Sequence, residues 1–314
     1  MTRDPATLVA AARDGNRTAL ARLLSLVERG GAEARAVGRL VHPLGGSTRT
    51  VGLTGAPGAG KSTLTSALVG AIRRDGLDVA VLAVDPSSPF SGGAILGDRV
   101  RMGEHALDDG VFIRSMATRG HLGGLALATP EAIRVLDATG HQRVLVETVG
   151  VGQVEVEVAS SADTTVVVVN PGWGDEVQAA KAGLMEIADV FVINKADRAG
   201  SADTRRDLEQ MLALSPARDG WSPPIVETVA VDGRGVDDLW SALGEHERHL
   251  EATGLLERRR AERLDRELRA IVAERLHARA LELCGGDEWD RLHADVLARR
   301  LDPWSASDRL LAEA

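Results

Sequence analysis

The stretch Thr50–Ser66, TVGLTGAPGAGKSTLTS, decides the fold. Residues 50–55 read as a short buried strand, and helical periodicity begins at Ser62 and runs to Arg74. Between them, Gly55-Ala56-Pro57-Gly58-Ala59-Gly60-Lys61-Ser62 matches G-x-x-x-x-G-K-[ST] at every fixed position. Glycines let backbone N–H groups turn inward around a phosphate without Cβ clashes. The helix that starts near Lys61 points its positive end at the same anion. Lys61 supplies charge to the β- and γ-phosphates, and Ser62 offers a hydroxyl to Mg²⁺. Residues Gly55 to Ser62, with Thr63, are therefore the candidate phosphate contacts. Ala56 after the first glycine disfavours partitioning ATPases, whose loop carries an early lysine there.

Strand and helix patterns alternate outward from this point. Further strands are expected at 79–85, 111–116, 143–150, 164–170, 189–195 and 224–231, several of them apolar at successive positions. Helices are expected at Ser62–Arg74, Leu125–Thr139, Asp175–Glu186 and Arg205–Leu214. The alternation predicts an α/β fold with a doubly wound, mostly parallel sheet of the P-loop NTPase type. Residues 1–44 read as a helical N-terminal segment, 45–250 as the nucleotide domain and 251–314 as a helical arm. Within the arm, 254–283 carries Leu264, Leu268, Ile271, Val272, Leu276, Ala280 and Leu283 at helical spacing. That stripe either folds back on the sheet domain or meets a second subunit. A short helix is expected from about Trp289.

The chain has 314 residues, 44% of them hydrophobic, and a formal charge of −9. An acidic surface argues against nucleic-acid and membrane partners. The single cysteine, Cys284, suits the reducing cytoplasm and leaves no Cys-rich metal site. No secretory signal or membrane-spanning helix is expected.

Asn194-Lys195-Ala196-Asp197 follows a strand and matches N-K-x-D. The Asp197 carboxylate can accept from guanine N1–H and the 2-amino group, neither of which adenine offers. Lys195 can lie along the base, and Asn194 can tie this loop to the phosphate loop. Ala230 and Val231, after a later strand, are candidates to complete the base pocket through backbone N–H groups.

Asp85 ends a strand, and Asp98 closes the Ser/Gly-rich stretch VDPSSPFSGGAILGDRV (84–100). Mg²⁺ takes one or two carboxylates with phosphates and water. A loop that brings Asp98 to the ion only with nucleotide bound is an order–disorder switch; the plainer role for Asp98 is a helix cap. Glu147 and Gly150 occupy the two fixed positions of the D-x-x-G pattern, with Glu147 in the acid's place. Gln153 is either a water-orienting residue or a surface residue. The segment NPGWGDE (170–176) opens a helix with Lys181 and is either a capped turn or a third switch.

Together, GLTGAPGAGKSTL, VDPSSPFSGGAILGDRVRM, FIRSMATRGHLGGLA, VETVGVGQVEVEVA, PGWGDEVQAAKAG and NKAD resemble the MeaB/ArgK family of P-loop GTPases, like the methylmalonic-aciduria type A protein. The resemblance implies a G-protein chaperone of an adenosylcobalamin-dependent acyl-CoA mutase of the methylmalonyl-CoA mutase type. Such a protein gates cofactor loading and protects the mutase from inactivation. It hydrolyses GTP to GDP, slowly alone and faster with its partner. It implies Mg²⁺ contacts at Ser62, Asp85, Asp98 and Glu147, a role for Asp175 and Lys181 in stimulated hydrolysis, and a homodimer formed through the C-terminal arms. Methylmalonyl, ethylmalonyl and isobutyryl mutases all fit as partners. The rival class, a kinase acting on a small molecule, needs an acceptor pocket with a base, and none is legible.

Overall fold

The computed structural model describes residues 4–85, 103–105, 107–117, 124–148, 161–172, 186–214 and 219–312. Asp98, Gly150, Gln153, Asp175 and Lys181 lie outside these residues, as does the helix expected at Asp175–Glu186 apart from its final residue. Two compact units are present, Met1–Arg263 and Leu264–Ala314.

In the first unit, seven described strands form one sheet: β1 (Arg49–Gly55), β2 (Val79–Asp85), β3 (Val111–Ala117), β4 (Arg143–Thr148), β5 (Thr164–Val169), β6 (Val190–Asn194) and β7 (Ile225–Thr228). Their order is β3-β2-β4-β1-β5-β6-β7, with every neighbour parallel. The apolar runs have the physical reason expected of them, because helices cover both faces. Along β2, Val79 and Val81 join one core while Ala80, Leu82 and Val84 join the other. The first face holds α4 (Lys61–Arg74), α6 (Ser201–Leu214) and α7 (Val236–Ala252). The second holds α1 (Pro5–Arg13), α2 (Arg17–Arg29), α3 (Gly31–Val41) and α5 (Gly124–Ala138). The N-terminal helices thus share a core with the sheet. Helix α7 was not expected, although Leu239, Leu243, His246 and Leu250 repeat at helical spacing and are buried.

Helix α8 (Leu255–Leu283) begins in this unit with three arginines on two buried carboxylates. Arg260 and Arg263 bond Asp163, which precedes β5, and Arg259 bonds Asp189, which precedes β6. Asp163 also accepts from Thr50 N–H at 3.1 Å, and His246 Nε2 lies 3.3 Å from Asp189. Burial pushes the Asp163 carboxyl upward, but Arg260 and Arg263 outweigh it and hold the group at about 2. The same opposition, with His246 and Arg259 as partners, leaves Asp189 below the usual range.

The second unit comprises the rest of α8, then α9 (Asp287–Leu297) and α10 (Pro303–Ala312). Leu292 and Ala306 are buried there, while Leu264, Leu268, Val272 and Leu276 are exposed along α8. Helix α10 was not expected, and it is capped by Asp302, which accepts from Trp304 and Ser305 N–H at 3.0 Å. No helix among the described residues is long and apolar enough to cross a membrane.

The depressed Asp163 carboxyl sets a stability expectation. Its ionisation stabilises the fold by about 2 kcal/mol above the unfolded carboxyl range, and this is lost as pH falls toward 2. Asp163→Asn is expected to lower unfolding free energy in urea by at least about 2 kcal/mol at pH 7, with the deficit vanishing in acid.

Candidate nucleotide site

Strand β1 delivers the chain to the carboxyl edge of the sheet beside β4 and β5, where the strand order reverses. Gly55 has φ 134°, and a Cβ there would lie 2.0 Å from the Val168 carbonyl oxygen. Only glycine lets the loop leave β1 against β5. Gly60, at φ 89°, opens α4, and a Cβ there would meet Asn194 Nδ2 at 2.4 Å. Lys61 is buried and donates to the carbonyls of Gly55 (2.8 Å) and Ala56 (3.1 Å), across the loop's own ring. Its ammonium is therefore held against the loop itself.

Ser62 sits in the first turn of α4 and donates from Oγ to Glu147 Oε1 at 2.5 Å. Glu147 is 1% exposed near the end of β4, level with Leu53 of β1 and Ala83 of β2. Asp85 ends β2 two residues beyond that level. A hydroxyl and a buried carboxylate are hard oxygen donors, so this pair suits Mg²⁺ completed by phosphate and water oxygens. Among the described residues no three His, Cys, Asp or Glu side chains gather as a metal site.

Asn194 ends β6 at 2% exposure. Its Nδ2 donates to the Ala59 carbonyl at 2.8 Å, and its Oδ1 accepts from Thr228 Oγ1 (3.1 Å) and Ala230 N–H (3.2 Å). One amide therefore joins the phosphate loop to the ends of β6 and β7. Lys195, at φ 59°, donates from Nζ to the Gly58 carbonyl at 2.6 Å. Asp197 is exposed beside this loop, and Val231 is 83% exposed after β7. The structure thus brings together Gly55 to Ser62, Glu147, Asn194, Lys195 and Ala230. Thr228 was missed: its part comes only from pairing opposite Asn194 in the β6–β7 register.

A family model described as methylmalonyl-CoA mutase-associated GTPase MeaB matches residues 20–283. The chain belongs to the MeaB family. Its relatives include a putative GTPase of Pyrococcus horikoshii, 49% identical over 307 residues that span 97% of this chain and 96% of the relative. The GTPase ArgK of Escherichia coli is 38% identical over 293 residues, covering 91% and 88%. A crystal structure of a LAO/AO transport system kinase superposes with a TM-score of 0.74 at 30% identity, covering 99% of this chain and 98% of that one. The MeaB-family chain is thus a P-loop GTPase of doubly wound α/β fold, in a family described as associated with methylmalonyl-CoA mutase.

The Gly60 contact gives a direct check on this MeaB-family site. Gly60→Ala is expected to displace Asn194 and lower nucleotide affinity at least about tenfold, read by equilibrium binding of GDP.

Proposed function

We propose that this GTPase binds Mg²⁺·GTP at the carboxyl edge of the sheet and signals the state of the terminal phosphate to an adenosylcobalamin-dependent acyl-CoA mutase. The observation that carries this reading is the Asn194 amide, bonded at once to the phosphate loop and to the strand ends that frame N-K-x-D. A base held by Asp197 and a phosphate held by residues 55–62 then belong to one rigid frame.

Each residue has a definite task in this reading. Backbone N–H groups of Gly58, Gly60 and Lys61 hold the phosphates, and Lys61 moves its ammonium from the loop carbonyls onto phosphate oxygens. Ser62 and Glu147, with Asp85 and Asp98, hold Mg²⁺, which neutralises phosphate charge when bound. Gln153 orients the attacking water, and Asp175 and Lys181 complete hydrolysis when the mutase docks. Without those groups in place hydrolysis is slow, because such sites act by positioning and charge stabilisation. The mutase association rests on the family description, and the proposed task is to gate cofactor loading and protect the mutase. The cytoplasm is the proposed location, on the strength of a lone cysteine.

The exposed stripe Leu264, Leu268, Val272 and Leu276 is the proposed homodimer contact, since four apolar side chains on one helix otherwise face water. Leu268→Glu with Leu276→Glu is expected to halve the mass seen by light scattering while GDP affinity stays within about twofold; an unchanged mass removes the arm from the interface.

Hydrolysis measured alone and with purified methylmalonyl-CoA mutase tests the main reading. Acceleration together with a co-eluting complex is expected, and neither appearing would refute the partner. Asp197→Asn is expected to weaken GTP binding about tenfold to a hundredfold, the cost of a charge-assisted pair. Unchanged affinity would remove the base-pocket assignment.

A further inference from the structure

Asp197 is exposed, and among the described residues no hydrogen bond or ion pair holds its carboxylate. Its position is therefore set by the backbone of the loop between β6 and α6. Upstream that loop is fixed several times over. Asn194 joins Ala59, Thr228 and Ala230, Lys195 bonds the Gly58 carbonyl, and Ala196 N–H donates to the Thr228 carbonyl at 3.0 Å. Arg198 N–H then donates to the Lys195 carbonyl at 3.0 Å and closes the turn around Asp197. Downstream, the chain passes Gly200, at φ 91°, and enters α6 at Ser201. The hold on that side of Asp197 comes from the first turns of α6.

Those turns are held from two sides. On one, Arg205 donates to the Ile225 carbonyl at 3.3 Å and to Glu227 Oε1 at 3.4 Å, both on β7. On the other, Gly172 N–H, just beyond β5, donates to Thr204 Oγ1 at 3.3 Å. A Cβ on Gly200 would stand 3.8 Å from Pro171 Cβ, so the loop itself lies close to the same exit. Arg205 is half-exposed and also pairs with Glu209, which leaves its hold on β7 shared with water. Thr204 is only 3% exposed. Leu208 seats α6 in the core, but it lies eleven residues from Asp197. The use made of the Thr204 hydroxyl is also distinct. Thr65, Thr139 and Thr253 each donate to the carbonyl four residues back, whereas Thr204 accepts from the exit of a strand.

We propose that Thr204 is a positioning residue for guanine binding: by accepting the Gly172 N–H it fixes the start of α6, and with it the turn that carries Asp197, against the exit of β5. The inference rests on the reading of Asp197 as the guanine contact. Asp197 and Gly200 are three residues apart, a span of at most about 11 Å, so a shift at the start of α6 has little slack before it reaches the carboxylate. A carboxylate that accepts from guanine N1–H and the 2-amino group together needs both distances right, and hydrogen bonds weaken steeply off their preferred geometry. Bound guanine and the exit of β5 then stabilise one another through this bond.

The test titrates a fluorescent GDP analogue, with the thermal midpoint of the GDP-free protein as a second readout. Thr204→Val keeps the branched shape, removes the acceptor and is expected to raise the dissociation constant about threefold to tenfold, the reach of one neutral hydrogen bond. Thr204→Ala is expected to do the same. Gly172 is exposed, so water can take its N–H and the GDP-free thermal midpoint is expected to hold in both variants. Thr204→Ser keeps the acceptor and is expected to stay within about twofold of the parent protein. Added to Asp197→Asn, Thr204→Val is expected to cost nothing further, because it acts through that carboxylate. An unchanged dissociation constant in Thr204→Val and Thr204→Ala, beside a loss in Asp197→Asn, overturns the positioning role and leaves the base reading standing. A loss that Thr204→Ser shares, that recurs undiminished in Asp197→Asn, or that comes with a lowered GDP-free thermal midpoint also overturns it. An unchanged constant in Asp197→Asn removes the base contact, and with it what Thr204 would position.

Discussion

A sheet whose strands are all parallel sends every loop that follows a strand to one edge, and the functional chemistry of this protein depends on that constraint. Strand β1 lies at the centre, with β4 on one side and β5 on the other. The phosphate loop after β1 is therefore flanked by the ends of β4, which carries Glu147, and of β5, whose Val168 carbonyl leaves no room for a Cβ at Gly55. Two strands further out, β6 ends in Asn194 and β7 in Thr228. Residues far apart in the chain reach the same few ångströms because the hydrogen-bond ladder places their strand ends level.

The opposite edge has different chemistry. There Asp163 and Asp189 stand just before β5 and β6, buried and facing arginines from the first turns of α8. Two desolvated carboxylates would be costly alone; several hydrogen bonds from guanidinium groups offset that cost. Nucleotide chemistry and the root of the long helix are thus kept at separate ends of the same two strands.

Much of the fold was legible because it rests on local patterns. Strand β2 runs Val79–Asp85 as its apolar run requires, and α4 starts where the glycine-rich loop ends. The phosphate loop and N-K-x-D were equally legible, since each needs particular residue types at fixed spacing. Helix α7 was harder to see, because its stripe of Leu239, Leu243, His246 and Leu250 is diluted by charged residues. A histidine at a core position hides the period, and that position is acceptable only in the fold, where Thr164 meets His246 at 2.8 Å and Asp189 lies 3.3 Å from its Nε2. Thr228 was invisible for a related reason: its hydroxyl has a task only once β7 lies beside β6.

By itself, the sequence determined the phosphate loop, the base motif, the alternation of strands and helices and the family, because these are written in short-range spacing and residue type. Tertiary structure decided which atoms meet, including those of the tie between Asn194 and the phosphate loop that the base motif had already led one to expect. Asn194 bonding Ala59, Glu147 facing Ser62, Arg260 on Asp163 and His105 on Ser66 all join residues separated by many positions. Strand order and register set those pairings, and neither leaves a periodic trace along the chain, because register is a relation between two strands rather than a property of one.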